Sequence, residues 1–212
     1  MHACPLCFKK DSFSLVKGPD SRVYQKCKQC RLISADPASH QSFEREKERY
    51  LTHNNGIEEE GYVNFLNQAV EPALPLLQKG TKGLDFGCGP TPTLSLLLEQ
   101  QGYTCDIYDP IFFPDMPGEA YDFVFATECF EHFFSPDKEI KYIKGLLKPG
   151  GLLIIKTEPW KSTEQFLSWY YAKDKTHVCF YHYQTIEFIA FRYKFEMIDS
   201  GNDTVFIMRN EL

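Results

Sequence analysis

Two cysteine hooks, Cys4-Pro5-Leu6-Cys7 and Cys27-Lys28-Gln29-Cys30, constrain this 212-residue chain more than any other feature. A thiolate is a soft donor. Two thiolates separated by two residues reach one metal ion from a tight turn, and two such turns complete a tetrahedron. The spacing predicts a structural zinc site ligated by Cys4, Cys7, Cys27 and Cys30. A segment of about 35 residues cannot bury enough apolar surface to hold itself together, so it depends on the metal. We expect a zinc ribbon over residues 1–36, ended by Asp36-Pro37, and a larger domain with its own chemistry over 37–212.

That second part has the length of one globular domain. Hydrophobic content of 43% and charged content of 25% are ordinary for a soluble protein. No run of 18 apolar residues reads as a membrane span. The start, Met1-His2-Ala3-Cys4-Pro5, lacks the apolar stretch of an export signal, so a cytoplasmic location with reduced thiols is expected rather than disulfides. Cys88, Cys105, Cys129 and Cys179 lie in apolar segments and read as buried thiols. The net charge of −6 is unevenly spread. Lys9, Lys10, Lys17, Arg22, Lys26, Lys28 and Arg31 face only Asp11 and Asp20 in the first 35 residues, a net of +5 before the metal centre is counted, which leaves the rest of the chain at −11.

After the ribbon, Ser39 to Tyr50 reads as a polar helix, and Tyr62, Phe65, Leu66, Ala69, Val70, Ala73 and Leu77 share one face of a second. Pro72 and Pro75 should kink or end it. From residue 82, strands and helices alternate: strands over 83–87, 103–108, 121–127 and 152–156, and helices over 93–101, from Ser135-Pro136 to Lys148-Pro149-Gly150-Gly151, over 162–171 and over 184–193. Ser135 is the expected cap of its helix. Residues 195–200 and 204–208 close the chain as a hairpin across Gly201-Asn202-Asp203. The alternation predicts an α/β fold whose mainly parallel sheet is covered on both faces.

The chemistry centres on Leu84-Asp85-Phe86-Gly87-Cys88-Gly89-Pro90, a strand running into a glycine turn. Glycine lets a ligand approach the backbone, and in such a sheet the ligand lies beyond the carboxyl ends of the strands. Asp109 follows twenty residues after Gly89, where a carboxylate can accept hydrogen bonds from both ribose hydroxyls of a nucleoside. A dinucleotide fingerprint wants a third glycine, but Pro92 stands there. Asp85 aims a negative charge into the site. That opposes pyrophosphate and suits the amino group and sulfonium of S-adenosylmethionine.

On these residues the chain resembles the class I S-adenosylmethionine-dependent methyltransferases. The resemblance extends through residues 39–208. Tyr121-Asp122-Phe123-Val124-Phe125, followed by Glu128 and Glu131-His132, is similar to the family's fourth-strand motif. Leu146 to Leu152 is similar to its following turn and fifth strand, and the closing hairpin to its reversed seventh strand. Asp174 to Tyr181 looks like a signature of bacterial methyltransferases, many acting on small molecules. With the ribbon, the whole chain resembles a bacterial group of zinc-ribbon methyltransferases. The resemblance implies a Rossmann-like sheet with Asp85, Gly87, Gly89, Asp109 and Glu128 at the cofactor, and Tyr50, His53, Asn54 and Tyr62 in a region folded over it. Thr91 replaces a glycine common after the motif's proline. Only eleven residues separate Asp109 from Tyr121, so the third-strand edge should be short or missing, with Phe112, Phe113 or Met116 as apolar walls for adenine.

Methyl transfer from a reactive sulfonium needs mainly positioning, plus a base where the nucleophile carries a proton. His132, at a strand's carboxyl end, and His177, with Asp174 placed to orient it, are the catalytic candidates. Trp160, Phe166, Trp169, Tyr170, Tyr171, Phe180, Tyr181 and Tyr183 suggest an apolar lid over a small, ring-bearing substrate. The alternative is an RNA methyltransferase gripping phosphate with the basic ribbon, against which the acidic main domain argues. A non-enzymatic interaction protein is opposed by the intact Asp85, Gly87, Gly89 and Asp109.

Overall fold

The computed structural model describes residues 2–52, 54–115, 118 and 120–211. Its centre is a six-stranded sheet. The members are β4 (Lys82–Phe86), β5 (Thr104–Tyr108), β6 (Tyr121–Thr127), β7 (Leu147–Lys156), β9 (Phe195–Ile198) and β10 (Val205–Asn210). They lie side by side in the order β5-β4-β6-β7-β10-β9. Strands β5, β4, β6 and β7 run parallel, and β10 pairs antiparallel with both β7 and β9. Parallel strands bring their carboxyl ends to one edge. The turns after β4, β5, β6 and β7 therefore meet, and the site is assembled there.

Side chains alternate across the sheet. Phe123, Phe125, Leu152, Ile154, Val205 and Ile207 pack on one face against Leu66, Ala69, Val70 and Ala73 of α2 (Glu60–Ala73) and Leu94, Leu97 and Leu98 of α3 (Thr93–Gln100). Leu84, Phe86, Val124, Ala126, Leu153, Ile155, Phe206 and Met208 face the other way, toward α4 (Pro136–Leu146) and α6 (Tyr183–Tyr193). Pro72 is accommodated one residue before α2 ends, and a 3₁₀ turn over Leu74–Leu76 follows. Among the described residues no strand continues the sheet beyond β5. Asp109 and Phe113 instead exchange backbone hydrogen bonds of 3.0 Å in an isolated bridge. This agrees with the short interval before Tyr121. Of the three candidate adenine walls, Met116 lies outside the described residues.

Several local expectations need correction. Ser135 precedes α4 but its side chain makes no capping bond. Helix α4 stops at Leu146 and β7 begins at once, so Lys148 to Gly151 enter the strand rather than separate it from the helix. The helix expected over 162–171 is only α5 (Thr163–Phe166), followed by a 3₁₀ turn over Tyr170–Lys173.

The cysteine-bearing segment forms β1 (Phe13–Val16), β2 (Tyr24–Cys27) and β3 (Ile33–Ala35), an antiparallel meander. Gly18 turns the chain where a Cβ would strike the Tyr24 ring at 2.2 Å. Short strand β8 (Cys179–Phe180), for which the sequence carries no clear signal, pairs with β3 and completes a four-stranded sheet. Helix α1 (Phe43–Tyr50), capped by Ser42, links this unit to α2.

Rings seal the seam. Tyr24 meets Phe166 at 5.1 Å and Phe180 at 5.9 Å, and all three are buried. Much of the ring-rich segment is thus core beneath the ribbon, not a lid: Trp160, Phe166, Phe180 and Tyr181 are all buried there, while Tyr170 and Tyr183 are exposed. Arg22 fastens the same seam. Its guanidinium, 7% exposed, donates to the carbonyls of Ala172, Asp174, Lys175 and His177 and to Asp20. Arg22→Ala should destabilise the protein by about 1–3 kcal/mol, because it leaves several half-buried carbonyls and Asp20 without their donor. Arg22→Lys should recover little, since a point charge cannot serve four carbonyls. Urea unfolding measures this, and a loss below about 0.5 kcal/mol, the scale of an ordinary surface change, would show that the seam does not depend on Arg22.

Candidate functional site

The four ribbon cysteines converge. Cys4 Sγ lies 3.5 Å from Cys30 Sγ, and Cys7 Sγ lies 3.6 Å from Cys27 Sγ. All four sulfurs lie within 4.8 Å of one another. A disulfide would need about 2.05 Å, whereas a tetrahedron of zinc–sulfur bonds of about 2.3 Å has edges near 3.8 Å. The arrangement fits a metal-binding thiolate set. Cys88, Cys105, Cys129 and Cys179 are separate buried thiols, as expected.

At the carboxyl edge of the central sheet lies a cavity of about 640 Å³, within the range of small-molecule sites. Strand β4 delivers Asp85 and the Gly87-Cys88-Gly89 turn, β5 delivers Asp109, and β6 delivers Glu128 and the 3₁₀ turn that carries His132. Gly89 has φ of +66°, and a Cβ there would meet only open space, so the backbone presents a bare cradle to the cavity. Gly87, at φ +81°, lies against Cys129 instead. Asp85 is 2% exposed, and its Oδ1 has no hydrogen-bond partner among the described residues. Burial, with Asp109 nearby, pushes its carboxyl up to about 7 against an opposing hydrogen bond from Ser95. An unpartnered buried carboxylate oxygen fits a cationic group of a ligand. Asp109 is already tied. Its Oδ2 accepts from Gly89 N at 3.0 Å, and its Oδ1 from Ile111 N at 2.8 Å and Phe112 N at 3.0 Å. It lines the cavity with spare lone pairs while fixing the cradle's shape.

Tyr50 and Tyr62, from α1 and α2, also line the cavity. The Tyr50 hydroxyl sits 3.0 Å from His132 Nδ1. Asn55 lines the cavity, whereas Asn54 bonds Glu59, and His53 lies outside the described residues. Helix α3 is tied to this region by Thr93 Oγ1, which donates to the Asn55 carbonyl.

His177 and Asp174 reach the cavity from the segment that Arg22 holds. The pair is not oriented as the sequence suggested. His177 Nδ1 donates to the Tyr171 carbonyl at 2.7 Å. The Asp174 carboxylate instead accepts from Arg49, at 2.8–2.9 Å, and from the Thr176 amide and hydroxyl. Burial would raise Asp174, but the Thr176 hydrogen bonds, His177 and Arg49 overcome it and hold the carboxyl well below the ordinary range. Burial drives His177 down to about 4, partly offset by Asp174, so it is neutral at pH 7.

Sequence reasoning named the support beneath these groups only in part, as Glu128 at the cofactor and the Glu131-His132 motif. Glu131, fully buried, accepts from Tyr171 Oη at 2.6 Å and Thr157 Oγ1 at 3.1 Å. Glu128, with φ of +50°, lies beside it. Burial raises both carboxyls, and the charge of Glu131 adds to the rise in Glu128. Lys156 is buried next to them, bonded to Gln68 and Thr204. A Lys-Thr pair ending an apolar strand was the available signal. Among the described residues lining the cavity, Glu46, Asp85, Asp109, Glu128, Glu139 and Asp174 are acidic and none is Lys or Arg.

A match to the methyltransferase-domain family profile covers residues 58–200, more than half of the chain. The chain belongs to that family. Its fold recurs in solved structures. One is a Pyrococcus horikoshii protein, 16% identical, with a TM-score of 0.51 over 78% of this chain and 99% of that one. Another, with a TM-score of 0.55, 11% identity and coverage of 78% and 97%, comes from the complex of the Haloferax volcanii Trm112 methyltransferase activator with a methyltransferase. The N-methyltransferase NodS of Bradyrhizobium japonicum, solved with S-adenosyl-L-homocysteine, gives 0.51 at 12% identity over 78% and 97%. A search of curated proteins finds no match. Family and fold together make this a class I S-adenosylmethionine-dependent methyltransferase. No described helix is long and apolar enough to cross a membrane.

Elemental analysis of protein purified without chelator should find one zinc per chain, and Cys27→Ser should abolish it and melt the ribbon sheet. Metal-free protein with an ordered ribbon would refute the zinc site. A second expectation concerns Glu46, 9% exposed on α1, whose carboxyl burial pushes up to about 7. A carboxyl raised above its unfolded value favours folding at low pH, and that contribution is lost as pH rises through about 7. From pH 6 to 8, wild type should lose on the order of 1 kcal/mol relative to Glu46→Gln, the size being limited by screening at the open cavity. Parallel urea titrations of the two proteins would test this, and coincident pH profiles would disprove it.

Proposed function

We propose that this enzyme transfers a methyl group from S-adenosylmethionine to a small, ring-bearing molecule held in the 640 Å³ cavity. The observation that carries the reading is that Asp85, with its unpartnered oxygen, lines the same cavity as His132 and His177. Cofactor and acceptor would therefore meet in one cavity. S-adenosylmethionine, when bound, supplies an electrophilic methyl group on a sulfonium.

In this reading Asp85 faces the cofactor's cationic end. Gly87 and Gly89 give it backbone room, Asp109 receives the ribose, and Glu128, Tyr50 and Tyr62 complete the wall. Phe43, Phe65, Phe86, Tyr108 and Phe133 supply the apolar lining that a ring requires. His177 holds its proton on Nδ1 against Tyr171, which leaves Nε2 as an acceptor. Its low basicity suits it to fixing the nucleophile by accepting a hydrogen bond more than to removing a tightly held proton. His132, braced by Tyr50 and Thr176, stands beside it at 4.8 Å between ring centroids. The acidic lining opposes a polyphosphate acceptor such as RNA, and Arg22 of the basic ribbon is consumed in the seam.

Asp85→Asn should weaken S-adenosylmethionine binding by about 1–3 kcal/mol, the loss of a charge-assisted contact. The same change should make the ligand-free protein more stable above pH 7, because a buried, unpaired carboxylate is removed. Calorimetry and urea unfolding would show both effects, and unchanged affinity would remove Asp85 from the site. His177→Ala should lower turnover at least tenfold at unchanged cofactor affinity. Tight RNA binding that collapses with salt, and disappears when Lys9, Lys10, Lys26 and Arg31 are neutralised, would replace the small-molecule reading with the RNA one.

A further inference from the structure

The groups behind the catalytic histidines are arranged as metal ligands are. We propose that Glu131, His132 and His177 bind one divalent cation beside the cofactor cradle, and that the methyl acceptor is a hydroxyl-bearing molecule that enters an open position on that cation. The inference rests on the cavity being the acceptor site and states how that site would hold its substrate.

Three observations carry it. First, the ligand atoms of these three side chains lie within 4.8 Å of one another, the only such group among the described residues besides the ribbon cysteines. An ion with bonds of about 2.1 Å needs its ligands roughly 3–3.4 Å apart, so the three side chains would draw closer on binding it. Second, each ligand is already braced from behind. His177 gives its Nδ1 proton to the Tyr171 carbonyl at 2.7 Å. His132 Nδ1 lies 3.1 Å from the Thr176 carbonyl and 3.0 Å from Tyr50 Oη; in the tautomer that places the proton toward Thr176, Nε2 would be the ligating atom. Glu131 accepts from Tyr171 Oη at one oxygen and from Thr157 Oγ1 at the other, and its carboxyl also bonds the side chain of Glu128, a contact that a cation would replace. Ligating imidazoles characteristically donate their other N–H to a carbonyl or carboxylate, and ligating carboxylates are themselves hydrogen-bonded. Tyr171 orients two of the three ligands, one through its carbonyl and one through its hydroxyl. A lone structural histidine needs no such shared brace. Third, the cavity side of the site lies where positive charge is wanted, with Lys156 buried behind Glu128 and Glu131 as their nearest cation. Among the described residues the cavity is lined by carboxylates without a Lys or Arg, and His132 and His177 both line it.

Two imidazoles and a carboxylate form a harder donor set than four thiolates. The ribbon would therefore keep zinc while this site takes another divalent ion. Three protein ligands leave positions open, and a bound cation would act as a Lewis acid that orients an acceptor hydroxyl and lowers its pKa.

The experiment uses the full-length, zinc-loaded protein and manganese(II) chloride alone. Loss of the free-ion electron paramagnetic resonance signal should report one Mn²⁺ bound per chain. Spin-echo modulation should show directly bound imidazole nitrogen. His132→Ala and His177→Ala should each weaken Mn²⁺ binding at least tenfold, as should Glu131→Gln, with S-adenosylmethionine affinity by calorimetry unchanged. No Mn²⁺ bound at about 1 mM, binding without imidazole nitrogen, or equal binding by folded variants would overturn the cation site. The spin-echo measurement on wild type decides the matter if the variants fail to fold. Should wild type bind Mn²⁺ but not S-adenosylmethionine, the cation site stands and the placing of the cofactor in this cavity falls. The reverse result sinks the cation site alone.

Discussion

The seam between the ribbon and the central sheet governs the rest of this molecule. Arg22 gathers the carbonyls of residues 172, 174, 175 and 177 around one guanidinium, and β3 pairs with β8 just beyond them. That stretch includes Asp174 and His177, which line the cavity, together with Thr176, and is flanked by Tyr171, so these groups are positioned by contact with the ribbon. A planar cation with five N–H donors satisfies several converging carbonyls at once, which a helix or strand would otherwise have to do. The ribbon lies behind the site: none of its residues is among those lining the cavity, and it bears on the site by holding the 172–177 segment in place.

The second organising constraint is electrostatic. Parallel strands bring their carboxyl ends to one edge, where β4 carries Asp85 near its end and the turns after β5 and β6 carry Asp109 and Glu128. Burial makes such groups reluctant to ionise, as the raised Asp85 and Glu128 show. Asp174 is the exception, because Arg49 and Thr176 hold it charged. A cavity with this lining receives a cationic cofactor end or a metal ion favourably and a phosphate chain poorly. The same fact thus points to the cofactor and away from nucleic acid.

Much of the site was legible in the sequence because its signals are local. The glycine turn, the acid at the end of the next strand and the Cys-x-x-Cys hooks each lie within a few residues, and their spacing dictates where side chains can reach. That no strand follows β5 at this edge among the described residues was legible too, since eleven residues cannot make a crossover and a strand. What failed was any inference that needed a partner from far along the chain. Asp174 precedes His177 by three residues, yet its carboxylate turns to Arg49. The rings of 160–181 looked like a lid, but β8 pairing pulls them under the ribbon, where Tyr24 and Leu32 complete their burial. Tyr171 and Thr157 could not be chosen from sequence, because their value lies in what their hydroxyls meet.

By itself, the sequence determined the alternation that makes a parallel α/β sheet, the thiol set of the ribbon and the glycine turn at the cavity, since periodicity and short-range spacing carry these. Only the tertiary structure decided that the ribbon and the domain share a sheet, that Arg22 clamps the segment carrying His177, and that Glu131, His132 and His177 converge on one point. These depend on residues up to about 155 positions apart. Such pairings are set by how two buried surfaces fit, which no local pattern encodes.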